Sequence, residues 1–295
     1  VEGVTALSKH LDAGFGGEWL AGGDDAVVGV DGRAARREPV EIGFGHTYSY
    51  ADIPLKYPPD SSGPNVIDQH ALASSMTFSI CVREETDQGT AFGVGVATDA
   101  PAVGALAPCV SHDGAISTQS FVNVRLGRRG VALLPDLAVD DALTGLLARD
   151  DHADLRQVHG VDARGDAYAF SGENCDDWFG HQVHEERGVT VAGNMLVGED
   201  TLDALVETFA AADPDEDGDL VARLVDALAA GKAAGGDSRG HSSAAVAVKA
   251  PRTTAYHDLR VDAHDEPIAE LRRVYEEAKS AADGFSEVSK ERIFD

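Results

Sequence analysis

Long apolar runs and cysteines are both scarce in this chain of 295 residues. No apolar stretch approaches the ~20 residues that a membrane-spanning helix needs, so the sequence predicts no membrane span. The three cysteines, Cys81, Cys109 and Cys175, stand at wide spacing and form neither a disulfide framework nor a CxxC zinc site. Unpaired thiols are typical of a reducing compartment. We therefore expect a soluble, cytoplasmic protein.

Positive charge is scarce as well, with 24 basic against 51 acidic residues and a formal net charge of −27. Nucleic acids and anionic membranes both attract basic surfaces, so this composition argues against either as a partner. The hydrophobic share of 43% is ordinary for a globular domain and does not predict a disordered chain. Salt screens repulsion between like charges, with a Debye length of about 3 Å at 1 M. The acidity therefore predicts a halophilic protein adapted to high salt.

Methionine is scarce too, since it occurs only at Met76 and Met195. The position of Met76 bears on how the chain divides into domains. The region before Met76 holds 11 of the 32 Gly and 5 of the 11 Pro, without sustained periodicity. We expect residues 1–75 to be a leader, a propeptide or a mis-assigned upstream segment, and to be disordered. A folded domain over 76–282 and a frayed polar tail over 283–295 complete the predicted organisation.

From Met76 onward, short β-prone runs alternate with pairs of helical patterns. Apolar residues spaced by three and four predict amphipathic helices, and compact runs between Gly-containing turns predict strands. The predicted strands are 77–82, 91–98, 103–108, 114–119, 157–162, 167–170, 189–193, 242–248 and 254–261. Strands 157–162 and 167–170 are predicted to form one hairpin, and strands 242–248 and 254–261 a second one. The predicted helices are 124–134, 140–149, 199–211, 219–232 and 267–282. This order is not a strict βαβ alternation and favours an α+β fold, with two mainly antiparallel sheets face to face and helix pairs outside.

The dipeptide Met76-Thr77 opens the first predicted strand. Removal of the residues before Thr77 would leave an α-amine and a β-hydroxyl on the same residue. An α-amine has a pKa near 7.7–8.0, so it can take the proton of that hydroxyl near neutral pH. Thr77 would then carry nucleophile and base together, as in the Thr–amine variant of acyl transfer. The alternative is that Thr77 is an ordinary strand residue.

Several segments after Met76 resemble one family, in the family's order. They include MTFSICVRE, AFGVGVATDAPAVGALAP, SGENCDDWFGH, VAGNMLVGED and AGGDSRGHSSAAVAV. The chain resembles the uncharacterised family catalogued as domain of unknown function 1028 over about residues 76–275. That family is placed in the N-terminal-nucleophile (Ntn) hydrolase-like superfamily.

The resemblance implies a four-layer αββα sandwich with an amidohydrolase-like site at the end of the first strand. Thr77 stands where the superfamily's nucleophile would stand. Many members of the superfamily place a lysine beside the nucleophile, but this chain has no lysine between Lys56 and Lys232. That role is either absent or passes to an arginine such as Arg83.

Six further residues are candidates for the same site. Asn194 stands at a strand end and has an amide that can donate to an oxyanion, or that can instead hold a turn. Asp237 and Arg239 lie in a Gly-rich segment, where they can orient the Thr77 amine, hold a substrate carboxylate or pair with each other. Thr118, Gln119 and Asn123 form a polar patch that can bind a substrate or cap the next helix.

A second cluster of reactive residue types lies around Cys175. Cys175 and His181 could form a nucleophile pair, and His181 with His184 makes an HxxH motif that binds metal when it is helical. The sequence shows no residue that would orient a Cys175–His181 pair and no third ligand for a metal, so loop packing is the favoured interpretation. We predict no metal and no cofactor.

The sequence thus predicts an amidohydrolase in which Thr77 attacks the amide carbonyl of a small amide or peptide-like substrate. Asn194 or a backbone N–H would stabilise the oxyanion, and water would release the acyl group. The alternative is a catalytically silent protein of the same fold that binds a small metabolite or serves as an assembly subunit. A homo-oligomer is compatible with either function.

Overall fold

The structure is a computed structural model, and it describes residues 76–214, 218–235 and 242–294. The predicted leader over 1–75 lies outside these described residues. Within them the chain forms ten strands and six α-helices. The strands are β1 (Thr77–Thr86), β2 (Gly89–Thr98), β3 (Pro108–Ser111), β4 (Gly114–Ser120), β5 (Arg156–Asp162), β6 (Ala167–Ser171), β7 (Gly180–His184), β8 (Val189–Asn194), β9 (Ser243–Lys249) and β10 (Asp258–Val261). The helices are α1 (Val124–Leu133), α2 (Val139–Leu147), α3 (Asp200–Ala211), α4 (Leu220–Gly235), α5 (Pro267–Asp283) and α6 (Glu287–Phe294).

The larger sheet has six strands in the order β10-β9-β2-β1-β8-β7. Its neighbouring strands pair antiparallel throughout, so β1 lies at the centre between β2 and β8. The register places Thr77 opposite Thr98 on one side and opposite Asn194 on the other. The first residue of β1 therefore lies at the same edge of the sheet as the last residues of β2 and β8.

The smaller sheet has four strands in the order β3-β4-β5-β6, and its neighbours also pair antiparallel. The hairpins predicted from the sequence, β5 with β6 and β9 with β10, are both confirmed by this pairing. The described fold is thus mixed α and β with antiparallel sheets, as the order of the sequence patterns predicts.

Helices pack on each sheet through separate apolar clusters. Helices α3, α4 and α5 contribute to a large cluster with the central strands of the six-stranded sheet. Helices α1 and α2 form a smaller cluster with β4 and β5. Glycines in β2 allow the close approach of α4, because a Cβ at Gly93 would lie 2.8 Å from Leu224 Cδ1 and one at Gly95 would lie 3.4 Å from Leu228 Cδ1.

The two sheets face each other, and polar side chains join them where they meet. Ser79 on β1 hydrogen-bonds to Gln119 on β4 and His159 on β5. The start of β1, the end of β4 and the start of β5 therefore lie near one common edge of the two sheets. That edge is formed by the ends of strands and not by an edge strand. It has Thr77 at its centre and is called the Thr77 edge below.

The structure differs from the sequence prediction in three places. Val103–Ala105 form a single 3-10 turn and β3 begins only at Pro108, whereas the sequence predicts a strand over 103–108. The segment around His181 is the strand β7, which the sequence analysis leaves as a loop. The predicted frayed tail contains the helix α6. Among the described residues, no helix has the length and hydropathy required to cross a membrane.

Candidate functional site

Thr77 is the first residue of β1 and lies buried at the Thr77 edge, with 7% of its surface exposed. Its hydroxyl oxygen is 2.9 Å from the hydroxyl oxygen of Thr98, directly across the β1–β2 pair. Two hydroxyls at this distance share one hydrogen bond. The partner of Thr98 decides which of the two donates.

The carbonyl of Met76 is held by two donors. Thr98 Oγ1 donates to Met76 O at 2.7 Å, and the N–H of Asp99 donates to the same oxygen at 3.2 Å. Because a hydroxyl has one proton, Thr98 must then accept from Thr77. The hydroxyl proton of Thr77 thus points to Thr98, and that of Thr98 points to the oxygen of the Met76–Thr77 peptide bond.

Asn194 ends β8 directly opposite Thr77 in the β1–β8 pair and is almost fully buried. Its Nδ2 donates to Gln157 Oε1 at 3.0 Å. One N–H of the predicted oxyanion donor is therefore directed at the interior between the sheets. The structure places Asn194 across the strand pair from Thr77, and its amide joins the two sheets through Gln157.

Gln157 is the hub of this buried network, and main-chain atoms fix its orientation. Its Nε2 lies 2.9 Å from Gly193 O and 3.1 Å from Gly180 O, which only accept hydrogen bonds. Its Oε1 must then face Gln119 Nε2, at 2.7 Å. The same logic turns Gln119 Oε1 toward Ser79, whose hydroxyl donates to it at 2.5 Å.

The orientation of Gln119 determines the tautomer of His159. Ser79 uses its one proton on Gln119, so His159 Nε2, 2.7 Å away, must donate to Ser79 Oγ. His159 Nδ1 then accepts from Thr190 Oγ1 at 2.9 Å. Ser79 and His159 resemble a nucleophile with its base. The ring nitrogen next to Ser79 is already protonated, however, so it cannot take the proton of the Ser79 hydroxyl.

His159 is fully buried and is held neutral. Burial, followed by the nearby His181, lowers its pKa to about 3. The neutral ring has its one proton on Nε2, so Nδ1 is the acceptor in the contact with the Thr190 hydroxyl. We therefore assign the Ser79–His159–Thr190 array to joining the sheets.

The remaining candidates near β4 separate into different environments. Gln119 belongs to the network, but Thr118 lies on the opposite face of β4, against Gly127 of α1. Adjacent strand residues point to opposite faces, so the two cannot form one patch. Asn123 caps α1, with its Oδ1 accepting from the N–H groups of Arg125 and Leu126, and its Nδ2 donates to Asp150 at 2.8 Å.

Asp237 and Arg239 lie outside the described residues. Arg83, the proposed substitute for lysine, lies six residues along β1 from Thr77, a separation of about 20 Å. It pairs with Glu85 instead. Of the two alternatives for the role of the lysine, Arg83 is therefore wrong, because six residues of extended strand separate it from Thr77.

The cluster around Cys175 does not form a nucleophile pair. Cys175 is buried with its Sγ 3.5 Å from Arg156 O, and burial raises the pKa of its thiol. His181 Nδ1 is 2.9 Å from Ser171 Oγ. His181 and His184 lie three apart on β7, so they point to opposite faces and do not chelate as the helical HxxH motif does.

The sequence analysis missed Ser79, Gln157, His159 and Thr98. The signal that could have identified the first three is a period of two in polar residues within buried strands, as in Gln157 and His159 of β5 and Thr77 and Ser79 of β1. Polar side chains on a buried face must find partners, so such a pattern predicts a network between facing sheets. Nothing in the sequence distinguishes Thr98, whose role depends on strand register.

A separate cleft of about 410 Å³ lies beside β9 and β3. It is lined by β3, α1, the end of β9 and the connection between β9 and β10. The end of β9 that lines the cleft is the one farther from Thr98 and Thr77, so the cleft is remote from Thr77. Arg128 and Lys249 line it and are exposed, and neither forms an ion pair with another described residue. His257 and Asp258 line it as well; burial lowers the pKa of His257.

Comparison with known proteins finds a matching family model and a similar solved structure. A family model for a family of unknown function (DUF1028) matches residues 77–271. Among solved structures, the crystal structure of a Silicibacter pomeroyi protein carrying the same family model is similar. It has a TM-score of 0.61 and 29% sequence identity, covering 69% of this chain and 86% of that one. No curated protein matches.

Proposed function

Because the chain belongs to the DUF1028 family, whose function is unknown, its activity has to be argued from the site, and we propose an amidohydrolase with Thr77 as an N-terminal nucleophile. The observation that carries the proposal is the position of Thr77. Its hydroxyl donates to Thr98 at the first residue of the central strand, next to a peptide carbonyl that two donors already hold. A nucleophile, a carbonyl and convergent donors are the parts that acyl transfer requires.

The arrangement of helices and sheets supports the proposal. Two facing antiparallel sheets, each with helices packed on it, are compatible with the four-layer αββα sandwich of the Ntn hydrolase-like superfamily. In this arrangement Thr77 lies at a strand end, where a substrate can approach once the residues before it are removed.

The proposed reaction requires that the Met76–Thr77 bond be broken. The α-amine of Thr77 then takes the hydroxyl proton as Oγ1 attacks the amide carbonyl of the substrate. The resulting oxyanion is stabilised by N–H or O–H donors, among which Asn194 lies directly across the strand pair. Collapse releases the amine product, which takes the proton from the α-amine, and water then hydrolyses the Thr77 ester.

N-terminal sequencing and intact-mass measurement of the protein from its natural source test the first requirement, with Thr77 expected as the N-terminus. A protein with any other N-terminus contradicts the proposal. The second test is acylation by an alkyl β-lactone, which should add one lactone mass to wild type and none to Thr77→Ala. The matched control is Thr86→Ala, at the far end of β1, which should be acylated like wild type.

The cleft beside β9 favours a second candidate function, the binding of a small organic anion by a catalytically silent protein. Its volume lies in the range of small-molecule sites. Two exposed cations without ion-pair partners among the described residues line it, in a chain of net charge −27. Calorimetric titration with benzoate should show saturable binding that is lost in Arg128→Gln and kept in Arg129→Gln, its exposed neighbour on α1. Equal loss in both variants contradicts a specific cleft site.

A further inference from the structure

We propose that Thr98 is a catalytic residue of the Thr77 edge. Its hydroxyl and the main-chain N–H of Asp99 form the donor pair that binds the acyl oxygen when Thr77 is acylated. This inference rests on the proposed function, because it requires Thr77 as the nucleophile. It goes further by assigning the oxyanion site to two groups. One is the side chain of Thr98, the last residue of β2, and the other is the main-chain N–H of Asp99, which follows it.

The donor pair is already assembled around one oxygen. Thr98 Oγ1 lies 2.7 Å from Met76 O and the N of Asp99 lies 3.2 Å from it. A hydroxyl and an N–H that converge on one carbonyl oxygen, at close to 2.7–3.1 Å, have the geometry of an oxyanion hole. Antiparallel pairing of β1 with β2 fixes this geometry, since Thr98 is the register partner of Thr77.

Breaking the Met76–Thr77 bond takes away the acceptor of both donors. With residue 76 in place, Thr98 is only 2% exposed, so removal of that residue opens this position to a substrate. An anionic oxygen makes stronger hydrogen bonds with such donors than a neutral one does. The emptied position therefore favours an oxygen that carries developing negative charge.

The oxygen position between Thr98 and Asp99 also lies close to the nucleophile. Thr98 Oγ1 is 2.9 Å from Thr77 Oγ1. An oxygen on the carbon that bonds to Thr77 Oγ1 is only two bonds from that atom, so it falls within reach of Thr98. Asn194, by contrast, directs one N–H at Gln157 between the sheets. The Thr98 and Asp99 donors are therefore better placed than the Asn194 amide.

The Met76 side chain indicates the chemistry of the acyl group. It is fully buried and belongs to the apolar cluster of the six-stranded sheet and its helices. If an acyl carbonyl occupies the place of the Met76 carbonyl, the attached chain extends toward the space that the Met76 side chain leaves. We therefore expect substrates with a small apolar acyl group.

β-Butyrolactone is a probe with such a group, and its reaction needs no further reagent. Thr77 Oγ1 bonds to the lactone carbonyl carbon while the hydroxyl proton passes to the α-amine. The oxyanion lies between Thr98 O–H and Asp99 N–H. Collapse breaks the ring bond between the acyl carbon and oxygen, and the α-amine returns the proton to that ring oxygen. The product is a hydroxybutyryl ester on Thr77, one lactone mass heavier.

The experiment compares full-length wild type, Thr98→Val and Thr98→Ser, with the N-terminus and melting temperature of each measured first. The rate of hydroxylamine-sensitive acylation at Thr77 is then followed by mass spectrometry, because hydroxylamine cleaves esters and not amides. Loss of one oxyanion donor is expected to slow acylation about 10²–10³-fold in Thr98→Val. Thr98→Ser keeps the hydroxyl and should stay within a few-fold of wild type. Thr90→Val, elsewhere on β2, is the matched control and should equal wild type.

Each outcome decides between the proposals. If Thr98→Val is acylated like wild type, or if Thr98→Ser is as slow as Thr98→Val, the role of Thr98 is wrong and the nucleophile stands. If folded Thr98→Val alone retains the Met76–Thr77 bond, the donor pair is supported through its action on the Met76 carbonyl. If wild type with Thr77 at its N-terminus is not acylated, the proposed function itself fails.

Discussion

At the scale of single residues, the buried network shows how main-chain atoms can determine side-chain chemistry. The carbonyls of Gly180 and Gly193 orient Gln157, and the orientation passes through Gln119 to Ser79 and His159. Every later donor and acceptor follows from that first constraint. Burial keeps His159 neutral by lowering its pKa, and the neutral ring forms part of the interface between the sheets.

His159 should make stability depend on pH between about 6.5 and 3. Its pKa is about 3 in the folded chain and near 6.5 when unfolded, so the unfolded chain binds more protons in this window. Stability should then fall as the pH drops below 6.5. At pH 5 the His159 contribution is about 2 kcal/mol lower than at pH 7.5.

The measurement is the change in the free energy of unfolding between pH 7.5 and pH 5, by urea denaturation. The loss should be smaller in His159→Gln than in wild type. His112→Gln, at an exposed histidine, should keep the wild-type loss. Equal pH dependence in wild type and His159→Gln would contradict the neutral, buried assignment.

At the scale of secondary-structure elements, close approach and capping explain several positions that sequence patterns leave ambiguous. Gly160 on β5 lies opposite Ile116 on β4, with a hypothetical Cβ 2.5 Å from Ala115 O. That neighbour is a main-chain atom, so it cannot move without disturbing the strand pair. Asn123, a polar residue next to a strand end, acts as a helix cap.

Gly160→Ala is expected to lower the free energy of unfolding by about 3 kcal/mol, because overpacking forces β4 and β5 apart. Gly145→Ala is the matched control. Gly145 lies in α2 with open space around its Cβ position. Alanine favours a helix over glycine, so this variant should gain about 0.5–1 kcal/mol. Chemical denaturation measures both, and a loss below about 1 kcal/mol in Gly160→Ala would contradict the close approach.

Asn123→Ala is expected to lower the free energy of unfolding by about 1 kcal/mol, the usual effect of losing an N-cap. Asn123→Ser keeps a capping oxygen and should retain much of that stability. Neither change should alter lactone acylation of Thr77, since the Asn123 amide is engaged by α1 and Asp150. A more than tenfold change in acylation in a stable variant would show instead that Asn123 contacts the substrate.

At the scale of the whole molecule, the dominant property is the net charge of −27. Ion pairs such as Arg156–Asp150 and Lys279–Asp219 neutralise a few of the 51 acidic residues. Most of the acidic charge is left to repel itself, which destabilises a compact state at low ionic strength. Added salt weakens both the attraction within ion pairs and the repulsion between acidic residues, and the repulsion is the larger effect here.

The melting temperature should therefore rise as KCl is increased from 0.1 to 1 M. Each kcal/mol gained corresponds to about 2–4 °C for a chain of this size. Differential scanning calorimetry at pH 7.5 measures the shift. A melting temperature that falls or stays constant over this range would contradict adaptation of the surface to high salt.

The sequence by itself determined most of the elements, their antiparallel pairing within hairpins and the place of Thr77 at a strand start. Local periodicity and turn residues carry that information, because they act over a few neighbouring positions. It could not identify β7, a short edge strand that shows no apolar alternation. It also grouped Thr118 with Gln119, although adjacent residues of β4 face opposite sides.

Only the tertiary structure decided which polar residues meet. The pairing of Thr77 with Thr98, the hold of Thr98 and Asp99 on Met76 O, and the Gln157 network all join residues far apart in the chain. Strand register and the facing of two sheets create these contacts, and a shift of one residue would turn each side chain to the other face. For this reason the sequence indicates a nucleophile, whereas the donors around it depend on how the sheets are paired.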